Sequence, residues 1–134
     1  MIATQAVEVR MLQGKLPVSL REGFAEEWEF DAEWTWVLER DGEIVGMLLG
    51  APCHGIAQMI MLKVLPGNES SAIKLIRAFL RDCLSRGFKG YMVHLNHDSS
   101  AQYKLMRIAR KAGALVLPYK IVCVGGKLEE AAKW

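Results

Sequence analysis

The chain has 134 residues, of which 51% are hydrophobic and 24% charged, so it is neither disordered nor low in complexity. Its length suits one compact domain, and we predict a single domain over residues 1–134. The net charge of +2 is divided unevenly, with −6 on residues 1–50 and +8 on residues 51–134, which predicts two electrostatically different surfaces.

No apolar run reaches the ~18–20 residues of a membrane helix, so no membrane association is expected. Glu8 and Arg10 interrupt the first apolar stretch, which is not typical of a secretory signal. We therefore predict a cytoplasmic protein.

Four elements are predicted in the first fifty residues: a strand at 5–11, a helix at 17–28, and strands at 35–39 and 44–50. The first strand alternates apolar and polar residues, as half-buried strands do. Pro17 is favoured at the start of a helix, and Leu20 and Phe24 follow at helical spacing. The dipeptide Asp41-Gly42 is the strongest hairpin signal in the sequence and predicts that the next two strands are antiparallel.

Five elements are predicted in the remainder: a strand at 57–64, a helix at 71–86, a strand at 91–95, a helix at 100–112 and a strand at 115–124. Apolar residues at helical spacing mark the first of these helices, which Ser70 or Ser71 would cap and Gly87 would end. Because strands joined by a helical crossover lie parallel, its two flanking strands should be adjacent, parallel and splayed at their carboxyl ends.

This order predicts an α/β (α+β) fold, with a mixed, mostly antiparallel sheet, one parallel splayed pair and helices on both faces. Three motifs occur within it: a D-G hairpin that leads into E-I-V-G-M, a V-x-P at residues 64–66, and R-K-A-G-A at residues 110–114. In this order they resemble the GNAT superfamily of acetyl-CoA-dependent N-acetyltransferases, over roughly residues 35–124.

The resemblance implies that the chain uses acetyl-CoA as a co-substrate. Main-chain groups of Leu62 and Val64 would hold the pantetheine arm, and the loop before the helix would hold the pyrophosphate, since the first turn of a helix has free N–H groups. That loop comprises Gly67, Asn68, Glu69, Ser70, Ser71 and Ala72. It is degenerate, because only Ala72 fits the family pattern Q/R-x-x-G-x-G/A.

The resemblance also implies direct transfer of an acetyl group to an amine. The tyrosine that many family members use as an acid is missing, and Tyr103 is the nearest phenol. His94, followed by His97 and Asp98, is the candidate base. The alternative is that His94 satisfies a hydrogen bond in the core and His97-Asp98 is a solvated turn. The candidate catalytic residues are therefore His94 and Tyr103.

Segment 24–36 is the candidate surface for an amine-bearing acceptor or a protein partner. Its five carboxylates within residues 26–33 are interleaved with Trp28 and Phe30 and followed by Trp34, so they would attract a cation by charge and by cation–π contact. The alternative is a solvated helix end with its aromatic residues in the core. A homo-oligomer is also among the expected partners.

Other chemistries have less support. Three cysteines without a C-x-x-C predict neither a disulfide framework nor a metal site, and Cys83 is expected in the core. Cys53 and His54 are not expected to form a catalytic pair, because adjacent residues in a strand face opposite ways. The basic helix faces have no interleaved aromatic residues, which argues against nucleic acid.

The second functional hypothesis is a catalytically eroded GNAT-like protein with an interaction or structural role. Similar short chains with eroded motifs are found among tailed-phage proteins. The missing loop glycines, the missing tyrosine and tryptophans expected to be exposed favour this alternative, and such a phage-encoded protein would be virion-associated.

Overall fold

The computed structural model describes residues 7–22, 29–93, 100–114, 129 and 132–133. Its strands and helices are β1 (Glu8–Met11), α1 (Val18–Arg21), β2 (Thr35–Arg40), β3 (Glu43–Cys53), β4 (Ile56–Val64), α2 (Ala72–Ser85), β5 (Gly90–Val93) and α3 (Ser100–Lys111). Short 3₁₀ turns occupy Ala32–Trp34 and Glu69–Ser71. This is the predicted order, although the final strand predicted at 115–124 lies outside the described residues. The chain divides into two compact units, Met1–His94 and Leu95–Trp134, and the single domain stays a prediction.

The five strands form one mixed sheet in the order β1-β2-β3-β4-β5. The first three pairings are antiparallel, whereas β4 and β5 are parallel, from Ile56 opposite Gly90 to Met59 opposite Val93. The predicted mostly antiparallel sheet with one parallel pair is therefore confirmed. Residues 94–99, which follow β5, are outside the described part, so the splay of the pair stays a prediction.

Two tight turns join β2 to β3 and β3 to β4. Asp41 and Gly42 both have positive φ, 54° and 80°, as a type I′ hairpin requires. His54 and Gly55 repeat this geometry with 50° and 81°. The second turn corrects the expectation that Cys53-His54 lies within a strand, because His54 has left the extended conformation.

Different helices cover the two faces of the sheet. Side chains alternate along a strand, so Trp36 and Val37 point to opposite faces. The Trp36 ring packs edge-on against Phe79 of α2, with 5.3 Å between ring centroids. Val37 belongs instead to a buried cluster with Leu20 of α1. Helices on both faces of the sheet are thus confirmed.

The ends of α2 follow the predicted pattern only in part. Gly87, with φ of 94°, ends the helix as predicted: its N–H donates to the Leu84 carbonyl, and the N–H of Phe88 donates to the Cys83 carbonyl. Ser71 holds the N-cap position, but its side chain makes no capping hydrogen bond. The predicted serine cap is wrong because Ser71 continues the preceding 3₁₀ turn in helical conformation, whereas a capping residue is extended.

Gly50 marks a close approach between the sheet and α2. A Cβ atom at this position would lie 2.9 Å from the Phe79 ring and 3.1 Å from the Gln58 carbonyl oxygen. We expect Gly50→Ala to lower the free energy of unfolding by about 1–3 kcal/mol, the usual cost of overpacking. Urea denaturation measures this, with Gly90→Ala as the control, because its Cβ would meet Ile56 at an ordinary 3.7 Å. Equal stabilities of the two variants would contradict this prediction.

Candidate functional site

The main-chain groups of Leu62 and Val64 point away from β3. The N–H of Leu65 donates to the Val45 carbonyl at 2.8 Å, so Leu65 and Val45 form a hydrogen-bonded pair of the β3–β4 ladder. Because hydrogen-bonded and non-hydrogen-bonded pairs alternate along antiparallel strands, Leu62 and Val64 both fall in non-hydrogen-bonded pairs. Their N–H and C=O groups therefore face the opposite edge of β4, on the side of β5.

Over its second half, this edge of β4 has no strand partner among the described residues, and in that sense it is called the open edge. The described residues of β5 pair with Ile56–Met59, and no described residue pairs with this edge farther along β4. The β3–β4 register also shifts at Leu49 and Gly50, so Ile60 is an extra, bulged residue. A bulge increases the local twist of a strand and often lies beside a binding site. Beyond this bulge, the main-chain groups of β4 that face away from β3 have no partner among the described residues.

The open edge leads directly into the loop before α2. The N–H groups of Asn68, Ser71 and Ala72 each donate to the carbonyl three residues earlier. Those of Glu69 and Ser70 have no acceptor among the residues that the structure describes. Two free donors at the start of a helix attract an anion, and the positive end of the helix dipole adds to this attraction.

Two side chains of the loop depart from what its sequence predicts. The Gly67 N–H donates to the Glu69 carboxylate at 2.9 Å, so one loop donor is engaged by an acidic side chain. Asn68 precedes the 3₁₀ turn but does not cap it, and its Nδ2 instead donates to the Leu65 and Pro66 carbonyls at 3.4 Å. Asn68 is 8% exposed, and its buried Oδ1 has no donor within the described residues.

Neither candidate catalytic residue is among the described residues of the first compact unit, to which this edge belongs. His94, His97 and Asp98 lie outside the described residues. Tyr103 is on α3, in the second compact unit, and is 44% exposed. Both assignments stay predictions.

The acidic segment is described only from residue 29 onward. The Asp31 carboxylate accepts the Glu33 N–H at 2.9 Å and so caps the 3₁₀ turn before β2. This turn lies at the opposite end of β2 from Asp41-Gly42, and the six residues of β2 separate the two ends by about 17 Å. Because Leu65 pairs with Val45, close to the Asp41-Gly42 turn, the Asp31 and Glu33 carboxylates are not beside the loop before α2.

Of the tryptophans in this region, Trp36 is buried and Trp34 is half-buried, so the expectation of exposed tryptophans is wrong for Trp34. Trp36 is 1% exposed, and its Nε1 donates to the Asp82 carboxylate at 2.7 Å. Trp34 is half-buried, with its ring centroid 5.5 Å from that of Phe88. Arg86 stacks over Trp34, its Cζ 5.1 Å from the ring centroid. These contacts attach the end of α2 to the start of β2.

An open cleft of about 590 Å³ lies at the end of the sheet where β2 begins. Its lining comprises Met11, Leu12, Gln13, Ala32, Glu33, Trp34 and Arg86. The cleft is formed beside the carboxyl end of α2, whereas the candidate loop precedes the amino end of the same helix. It is therefore separate from the open edge of β4.

The remaining candidate chemistries find no support in the described residues. Cys83 is buried as predicted; burial raises its pKa, partly opposed by Arg86, so the thiol stays protonated. The structure groups no three His, Cys, Asp or Glu side chains in a way that could hold a metal ion, as far as its described residues go. No helix in that part of the chain is long and apolar enough to cross a membrane.

No family model and no curated protein matches this chain. Solved structures do. Ard1 from Thermoplasma volcanium is 18% identical, with a TM-score of 0.63 and 84% of each chain covered. The ribosomal-protein-S18-alanine N-acetyltransferase from Escherichia coli is 12% identical, with a TM-score of 0.61 over 81% of this chain and 77% of its own.

A third similar structure is AAC(6′)-Iy in complex with the bisubstrate analogue CoA-S-monomethyl-acetylneamine. It is 16% identical to this chain, with a TM-score of 0.53 over 88% of this chain and 99% of its own. At these identities the likeness concerns the fold, and it agrees with the mixed sheet and its parallel β4–β5 pair. The chain therefore has the fold of the GNAT N-acetyltransferases.

Proposed function

We propose that this protein transfers an acetyl group from acetyl-CoA to an amine by direct attack. One observation carries the proposal: the open edge of β4 at Leu62 and Val64 continues into a loop at the start of α2, and neither the edge nor the N–H groups of Glu69 and Ser70 have a partner among the described residues. The matching ligand is an extended small molecule that carries amide groups and ends in a diphosphate. Its amides can pair with a strand edge, and its phosphate oxygens can accept hydrogen bonds from N–H groups. Acetyl-CoA supplies the thioester.

The residues of the site would act mainly by positioning. Leu62 and Val64 would hold the pantetheine arm, and an N–H of this pair would polarise the thioester carbonyl. Gly67, Asn68, Glu69, Ser70, Ser71 and Ala72 form the loop proposed for the pyrophosphate. His94 or water would accept the amine proton, and Tyr103 or solvent would protonate the leaving thiolate.

The experiment that tests this activity follows the release of free thiol from acetyl-CoA with a panel of amines. The panel contains a polyamine, an aminoglycoside and a peptide with a free amino terminus. Amine-dependent thiol release together with an acetylated product supports the proposal. Hydrolysis that is independent of the amine, or no release with any of them, would contradict it.

We further propose that segment 24–36 recruits the cationic acceptor. Replacing Glu26, Glu29 and Glu33 together by Gln should raise the KM for the amine about tenfold at low salt, because the attraction between exposed charges is lost and is screened by salt. The difference from the original chain should shrink at high salt. The free energy of unfolding should change little, since solvated carboxylates contribute little to stability. An unchanged KM at low salt would show that the segment does not face the acceptor.

One observation favours the alternative, an eroded GNAT-like interaction protein. The Glu69 carboxylate engages the Gly67 N–H, so an acidic side chain lies within the loop proposed for an anion. If the loop has lost its ligand, acetyl-CoA will not bind, and the protein will act through a partner. Binding of acetyl-CoA therefore separates the two hypotheses.

A further inference from the structure

The loop before α2 contains its own anion. The Glu69 Oε2 lies 2.9 Å from the Gly67 nitrogen and accepts its N–H. Gly67 has a φ of 89°, a conformation that glycine adopts without strain, and this places its N–H within reach of a side chain two residues later. A carboxylate oxygen at such a donor stands in for the oxygen of a phosphate.

A second feature of the loop independently indicates a missing ligand group. Asn68 is more than nine-tenths buried, and its Oδ1 has no donor among the described residues. A buried acceptor without a donor is costly, and asparagine at this position would ordinarily accept an N–H of the following turn. The Asn68 side chain is instead turned toward Leu65 and Pro66, and the N–H groups of Glu69 and Ser70 have no acceptor among the described residues. The loop thus contains two N–H groups without a described acceptor and one buried oxygen without a described donor.

We propose that Glu69 is an internal competitor that occupies the anion loop and is displaced when a phosphorylated ligand binds. This inference rests on the proposed function in identifying the loop as a phosphate site, and it adds a regulatory residue to that site. Displacement releases the Gly67 N–H, which joins those of Glu69 and Ser70 as a donor to the phosphate. The ligand class is a diphosphate that has a hydroxyl or amide N–H nearby. Asn68 Oδ1 can accept a hydrogen bond from that group.

Two variants separate the charge of Glu69 from its hydrogen bond. Glu69→Gln removes the charge but keeps an oxygen that can accept the Gly67 N–H, whereas Glu69→Ala removes both. Glu33→Gln makes the same charge change in the 3₁₀ turn at the far end of β2 and serves as the control.

The probe is inorganic pyrophosphate, titrated into the full ¹⁵N-labelled chain. We expect Glu69→Ala to bind it about fivefold more tightly than the original chain, Glu69→Gln to be intermediate and Glu33→Gln to be unchanged. The amide signal of Gly67 should already move on the Glu69→Ala substitution and move again with pyrophosphate. Affinity that is unchanged or weaker in Glu69→Ala, or no binding to that variant, would overturn the proposal.

The same titration with acetyl-CoA distinguishes this inference from the proposed function. Acetyl-CoA that binds the original chain and Glu69→Ala equally well would overturn the competitor role and leave the proposed function standing. Pyrophosphate that binds Glu69→Ala more tightly, with no binding of acetyl-CoA to either chain, would support the competitor role and contradict the proposed function.

Discussion

Replacing Leu62 or Val64 by proline should remove most of the acetyl transfer without unfolding the protein. Proline lacks the N–H, and both of these N–H groups face the open edge of β4, where a strand tolerates proline. Loss of a single N–H that polarises a reacting carbonyl typically lowers kcat by about 10²–10³-fold. We expect this fall in one variant and a raised KM for acetyl-CoA in the other, measured by steady-state release of free thiol.

The control for these variants is Lys63→Pro. Lys63 lies between them and, by the same alternation, directs its N–H toward β3, so this substitution should destabilise the sheet. Circular dichroism and urea denaturation should therefore find Leu62→Pro and Val64→Pro folded and Lys63→Pro strongly destabilised. Full kcat and KM in both folded edge variants would refute the assignment of this edge to acetyl-CoA.

Trp36→Ala should cause a large loss of stability, about 3–5 kcal/mol in the free energy of unfolding. The side chain is buried between Phe79 and Trp34, with ring centroids 5.3 and 6.1 Å away, and its removal leaves a cavity between β2 and α2. It also deprives the Asp82 carboxylate of its 2.7 Å donor.

Urea denaturation of two further variants resolves these contributions. Trp36→Phe keeps part of the packing and loses the donor, so a cost of about 1–3 kcal/mol is expected. Val18→Ala changes a side chain that is 86% exposed and should stay within about 0.5 kcal/mol. A loss in Trp36→Ala no larger than that in Val18→Ala would contradict the described packing.

The parts of the fold with a strong local signal could be predicted from the sequence. Asp41-Gly42 specifies a type I′ turn by itself, since both residues tolerate positive φ. Apolar spacing and Gly87 identified α2, and the strand–helix–strand order then required β4 and β5 to be parallel. The His54-Gly55 turn was missed because histidine carries a much weaker turn signal than aspartate.

Features that depend on contacts between distant residues could not be predicted. Nothing near Trp36 in the sequence indicates that Phe79 and Asp82 will contact its ring. The same applies to the loop: composition shows that Glu69 is acidic, but only the conformation of Gly67 shows that the carboxylate reaches a loop donor.

The sequence indicated where the candidate edge lies, but not which contacts direct its N–H groups away from β3. The resemblance implied Leu62 and Val64, whereas the direction of their N–H groups depends on the Leu65–Val45 hydrogen bond and on the bulge at Ile60. A bulge has no clear sequence signal here, because Ile60 lies within an unbroken apolar run from 59 to 62.

The most direct test of the central claim is a titration of acetyl-CoA into the full ¹⁵N-labelled chain, followed by amide resonances. We expect saturable binding, with the largest shifts at the amides of Leu62, Val64, Gly67 and Ser70. The absence of saturable change at millimolar acetyl-CoA, or shifts confined to the cleft at Trp34 and Arg86, would contradict it.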